Sequence, residues 1–176
     1  MIKMATKKTA MFTLTERITV SAHGTDTFAT IDLGSYVDVG DRQALQIHSV
    51  DYIVQGSTVN ETIAASLGAG ELQAQLTDLN RGGLAFANDR ALVSSMRLIL
   101  DTDAYLTNVV DLYPDNYGKG SEDGRYVVND QLYLTARASA LAGSAVNITV
   151  RVNASIVTLG AKDFMAIAIQ STAADN

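Results

Sequence analysis

Residues 146–157, VNITVRVNASIV, are apolar at every even position and polar at nearly every odd one. Val146, Ile148, Val150, Val152, Ala154 and Ile156 fall on one side; Asn147, Thr149, Arg151, Asn153 and Ser155 fall on the other. A period of two sends successive side chains to opposite faces of a strand. The stretch therefore predicts a long β-strand with one dry face and one wet face. At roughly 3.3 Å per residue, residues 145–157 would span about 40 Å.

The same signal recurs along the chain. FTLTERITV (12–20) sets Phe12, Leu14, Ile18 and Val20 on one face, with Glu16 the exception. FATIDLGSYVDV (28–39) alternates at Ala29, Ile31 and Leu33 until Gly34 interrupts it. ELQAQLT (71–77), ALVSSMRLIL (91–100) and QLYLTARASA (131–140) follow, with Leu72, Ala74, Leu76, Leu92, Met96, Leu98, Leu100, Leu132, Leu134, Ala136, Ala138 and Ala140 as their apolar positions. FMAIAI (164–169) closes the set. In ALQIHSVDYIV (44–54) the apolar parity switches, from Leu45 and Ile47 to Val50, Tyr52 and Val54. One extra residue in a strand reverses every later side chain, so a β-bulge is expected near His48 and Ser49.

About eight strands joined by GDRQ (40–43), NRGG (80–83), AGS (142–144) and GAKD (160–163) predict an all-β protein, since these links are rich in turn-forming residues. The link 55–71 has room for one helical turn around Glu61 to Leu67, and 76–89 for a short helix. Long alternating strands with long crossing links suit two facing sheets. The expected fold is an antiparallel β-sandwich, a single jelly roll of about eight strands with at most short helices in its loops. Residues 1–10 read as a short basic N-terminal arm, 11–170 as the sandwich and 171–176 as a frayed C-terminal tail.

Composition narrows the function classes. At 176 residues, 47% hydrophobic and 18% charged, the chain is long enough for one domain with a real core. The longest apolar run falls far short of the roughly 20 residues a membrane helix needs. The N-terminus lacks the apolar stretch of a cleaved secretion signal, so a soluble, unexported protein is expected. Zero cysteines exclude disulfides, thiolate nucleophiles and Cys-ligated zinc. A net charge of −6 argues against nucleic-acid binding by the whole domain, with Lys3, Lys7 and Lys8 a local exception.

Chemistry has few places to reside. His23 and His48 are the only histidines; one falls in an apparent turn and the other at the expected bulge. The acidic loop holding Asp111, Asp115, Glu122 and Asp123 lacks the alternate-position spacing of an EF-hand. SLGAGE (66–71) lacks the lysine and the strand-to-helix context of a phosphate cradle. Asn60, Asn147 and Asn153 begin N-x-[ST] triplets, which matter only in an exported, glycosylated chain. No catalytic, cofactor-binding or metal-ligating residue is expected, and no cofactor. Small polar residues on the wet faces lose few rotamers on contact. Tyr105, Tyr113, Tyr117 and Tyr126, near loops, are candidate contact anchors.

The run GRYVVNDQLYLTARASALAGSAVNITVRVNASIVTL, with its alternating strand, AGS turn and second long strand, resembles the closing strands of single jelly-roll capsid proteins of icosahedral viruses, particularly the small major capsid proteins of tailless viruses of archaea and bacteria. The basic arm and the bulged strand fit that plan, and the likeness extends as a strand pattern over residues 10–170. The resemblance implies a non-enzymatic viral structural protein that self-assembles into an icosahedral shell. Lys3, Lys7, Lys8, Tyr113 and Tyr117 then become candidate subunit-interface residues. Partners would be copies of itself and other capsid proteins, with an internal membrane or the genome reached through the arm and no small-molecule substrate. The location would be the virion, assembled in the host cytoplasm. Family members that bind genome directly often carry longer basic arms; three lysines suit a shell over a membrane or over other proteins. The competing classes are a virion spike, decoration protein or carbohydrate-binding sandwich, and an enzyme on a jelly roll such as a cupin.

Overall fold

The computed structural model describes residues 5–103, 105–109 and 124–172. Two five-stranded antiparallel sheets face each other. One contains β1 (Ala5–Lys7), β2 (Phe12–Val20), β4 (Gln43–Gln55), β8 (Arg125–Val127) and β10 (Val146–Leu159). Its order is β1-β10-β4-β8, with β2 on the same edge of β10 as β1. The other runs β3 (Thr27–Asp32), β9 (Gln131–Ala138), β5 (Gly70–Thr77), β6 (Leu92–Leu100) and β7 (Leu106–Val109). Without β1 and β7, the orders β2-β10-β4-β8 and β3-β9-β5-β6 remain. Consecutive strands alternate between the sheets except for the β5–β6 hairpin, while the last strands return to lie beside the first, which is the double Greek key of a jelly roll. The expected fold class is thus the observed one.

The alternation defines the core. Ile18, Val20, Ile47, Val50, Ile148, Val150 and Val152 from the first sheet meet Leu72, Leu76, Leu98, Leu132 and Leu134 from the second. Each fully buried Leu, Ile or Val adds roughly 1.5–3 kcal/mol against leaving it in water. The inward alanines Ala74, Ala136, Ala138 and Ala154 are fully buried and keep the sheets close. The bulge lies where the parity switch placed it. Asn153 pairs with Ser49 and Ala154 with Ile47, so His48 is the extra residue and Leu45, Ile47, Val50, Tyr52 and Val54 share the inner side.

A second register shift has the opposite effect on a sequence expectation. Leu76 pairs with Ser94 and Thr77 with Leu92, leaving Val93 as the extra residue of β6. Val93 joins the core, Ser94 faces inward, and Leu92 turns to the outer face. The alternation that grouped Leu92 with Leu98 and Leu100 does not allow for that bulge.

Several elements differ from expectation. Ten strands are described rather than eight, because β1, β7 and β8 span only three or four residues and are too short to show a period. The expected strand 28–39 ends at Asp32, whose Oδ1 accepts the Gly34 N–H at 2.8 Å and turns the chain. FMAIAI forms no strand. It belongs to α2 (Ala161–Thr172), a terminal helix longer than the short loop helices expected. Its Phe164, Ile167 and Ala168 sit at helical spacing and pack on Ala5, Ala44, Val128, Val157 and Leu159, a small core outside the first sheet. The helix also runs into the stretch 171–176 assigned to a frayed tail. The link 55–71 holds α1 (Ile63–Ser66), while 76–89 contains no helix. Residues 5–7 of the expected arm are the β1 strand, paired with Val157, Thr158 and Leu159.

Candidate functional site

Among the five sequence-predicted contact residues, Lys7 is exposed in β1 opposite Val157, and Lys8 is exposed just beyond it, its backbone N–H bonded to the Ile156 carbonyl at 2.8 Å. Lys3, Tyr113 and Tyr117 lie outside the described residues, as do Asp111, Asp115, Glu122 and Asp123. Tyr105 is 70% exposed in the turn between β6 and β7, where the Asp101 carboxylate accepts its N–H. Tyr126 is no free loop anchor: it sits in β8 and packs into the small core beneath α2. The two histidines are far from forming a shared site. His23 bridges Ala138 at the end of β9, while His48 Nε2 lies 2.9 Å from Ser155 Oγ at the bulge. Among the described residues, no three His, Asp or Glu side chains cluster as metal ligands would.

What the strands build instead is a broad, cross-linked polar face. On the outside of the β2-β10-β4 triplet, side chains line up in rows across the strands: Thr13–Asn153–Ser49, Thr15–Arg151–Asp51, Arg17–Thr149–Ile53 and Thr19–Asn147–Gln55. In the first row Thr13 Oγ1 donates to Asn153 Oδ1 at 2.7 Å, and Asn153 Nδ2 donates to Ser49 Oγ at 2.9 Å. In the last, Thr19 Oγ1 donates to Asn147 Oδ1 at 2.7 Å, and Asn147 Nδ2 donates to the Gly56 carbonyl at 2.8 Å. Asn147 and Asn153, which the sequence placed on the polar face of the strand and in N-x-[ST] triplets, are therefore cross-strand ties. Side chains already held in one rotamer lose little entropy when a partner covers them.

Polar clusters fix the two ends of the sandwich. At one end Glu61 accepts hydrogen bonds from the Ser57 N–H at 3.0 Å, from the Ser57 hydroxyl, and from Ser144 Oγ at 3.0 Å. The Ser57 hydroxyl, with help from Ser144, holds the Glu61 carboxyl below its ordinary value. This ties the β4–β5 link to the β9–β10 turn. At the other end Asp78 is buried and paired with Arg125 at 3.0 Å, while Asn129 Nδ2 donates to its carbonyl at 2.6 Å. Burial pushes the Asp78 carboxyl up, and the Arg125 guanidinium opposes the shift without cancelling it. A cleft of about 220 Å³ opens beside the pair, between Arg90, Tyr126 and the α2 residues Ile167 and Gln170. Neither cluster had a sequence signal, because each joins residues far apart in the chain.

No protein-family model matches the chain, and no curated protein matches it. Among solved structures, VP1 of Trichodysplasia spinulosa-associated polyomavirus in complex with 3'-sialyllactose aligns at 11% identity over 91% of this chain and 98% of that one, with a TM-score of 0.42. The same virus's VP1 with GM1 oligosaccharide aligns at 10% identity over 90% and 100%, again at 0.42. At these levels the similarity carries no argument about what the chain does. The class of the protein, a single jelly-roll sandwich, rests on its own strand order.

Proposed function

We propose that this chain is the subunit of a virion shell, a capsid protein that works by contact with copies of itself rather than by catalysis. The observation that carries the reading is the strand order, β2-β10-β4-β8 facing β3-β9-β5-β6, a jelly roll of the kind that viral capsid, lectin and cupin domains share. The hydrogen-bonded rows of Thr and Asn on the outer face favour the capsid member of that set, since they offer a wide, stiff contact surface instead of a concave pocket. The resemblance of residues 124–159 to the closing strands of capsid proteins from tailless viruses points the same way. In this reading Lys7 and Lys8, exposed beside β10, offer positive charge to a neighbouring subunit or to whatever the shell encloses.

Light scattering on the purified chain, across concentration and ionic strength, tests the proposal. A net charge of −6 makes copies repel, and salt screens that repulsion over about 10 Å at 0.1 M. The expected result is a mass that climbs from the 18.7 kDa monomer to capsomers or shells as salt and concentration rise. A monomer under every condition would overturn self-assembly.

A further inference from the structure

The fourteen residues between β5 and β6, 78–91, contain no helix or strand, yet they are braced at nearly every step. Thr77 Oγ1 donates to the Leu79 carbonyl at 2.8 Å, and Asn80 Oδ1 accepts the Gly82 N–H at 3.0 Å. Arg81 pairs with Asp89 at 2.8 Å, and Asp89 also caps the Ala91 N–H at 2.9 Å. Most telling is Gln75, on the outer face of β5. Its amide grips the loop backbone twice, accepting from the Ala85 N–H at 2.7 Å and donating to the Ala85 carbonyl at 2.9 Å. This clamp holds Leu84–Ala87 against the outside of the β3-β9-β5-β6 sheet.

At the centre of this braced loop Phe86 is 86% exposed, more than any other large apolar side chain among the described residues. A rigid, protruding aromatic is a costly surface feature for a lone molecule, and it is the side chain that anchors protein contacts. Beside it runs a groove of about 310 Å³, lined by Leu84, Leu92, Gln73, Ser95 and Arg97. Leu92 faces that groove only because the Val93 bulge turns it outward.

Charge indicates the occupant. The chain carries −6 overall, so most pairings of two copies meet repulsion. On this face, however, the arginines stand with acids: Arg81 with Asp89, Arg97 with Glu71, and Arg137 with Asp26 at 3.8 Å. Three of this face's acids are matched by its arginines, with Asp32 at the end of the edge strand β3 the exposed exception, so the part around Phe86 can approach its own copy. A knob and a hole side by side on such a face also fit a two-fold contact, in which each copy supplies both.

We propose that two copies of this chain meet through the outer face of the β3-β9-β5-β6 sheet, Phe86 of each entering the groove beside Phe86 of the other. The proposal rests on the shell reading and names one of its contacts. The chain has no tryptophan, so Phe86→Trp places its one tryptophan, excited selectively over the seven tyrosines, at the position in question. Its emission is followed with light scattering on the same samples, alongside Phe86→Glu. The expected result is a blue shift and protection from acrylamide that rise together with mass, and an at least about tenfold higher concentration for assembly of Phe86→Glu. Assembly with the tryptophan still fully quenched, or Phe86→Glu assembling like the wild type, overturns this contact and leaves the shell reading standing. A wild type that stays monomeric overturns both.

Discussion

Ser94 lies fully buried on the inner side of β6, and its hydroxyl has no hydrogen-bond partner among the described residues. A buried hydroxyl without a partner carries its desolvation cost uncompensated. Ser94→Ala is therefore expected to raise stability by about 1 kcal/mol, or about 2–4 °C in thermal midpoint for a chain this size. Leu134→Ala, at a fully buried site, is expected to lose about 2–5 kcal/mol in denaturant unfolding. Two carboxylates give the pH dependence, with opposite signs. The folded state raises Asp78 above its ordinary 3.8, so its favourable contribution is complete below that value and is lost as pH rises through the raised one. Glu61 is lowered from 4.5, so its contribution is present above 4.5 and is lost as pH falls through the lower value. Thermal midpoints of Asp78→Asn and Glu61→Gln against the wild type should therefore diverge in opposite directions on going from pH 7 to pH 3. Parallel curves would contradict both assignments.

The bulge in β4 makes a sharper claim at the scale of elements. Deleting His48 leaves Ile47 inward, Ser49 outward and Val50 inward, so the apolar side of β4 stays whole. Deleting Thr149 from β10 instead drives one half of that strand's apolar residues out of the core. The His48 deletion should retain a cooperative β-rich fold by circular dichroism, and the Thr149 deletion should not. These two cases also show how far the elements were legible. The His48 bulge was readable because strong apolar residues flank it on both sides. The Val93 bulge was hidden by a run of Leu92, Val93, Ser94 and Ser95, which satisfies either parity. The helix α2 was misread as a strand because FMAIAI is too short and too apolar to show which period it obeys; the deciding fact is the small core under Phe164, to which β1, β4 and the β8 region contribute from far away in the chain, together with the end of β10. Phe164→Ala should detach that core and cost about 3–5 kcal/mol in denaturant unfolding.

At the scale of the whole molecule, the ten described strands give two different outer faces. One is a polar lattice of Thr, Asn and Ser rows; the other carries a braced loop, an aromatic knob and internally paired charges. The fold class was legible because period-two alternation over long strands encodes which face is dry. The contact surfaces were less so: Phe86 sits in a loop with no period, and the residues that make it rigid, Gln75, Asp89 and Asn80, are ordinary in sequence. Tyr126, by contrast, looked like a loop anchor and is packed under α2. The central claim is that this body exists to join copies of itself into a closed shell. Electron microscopy of the highest-mass fraction tests it most directly. The account predicts hollow particles of one uniform diameter, built from regularly spaced capsomers; a field of monomers or of shapeless aggregates at every concentration and salt would contradict it.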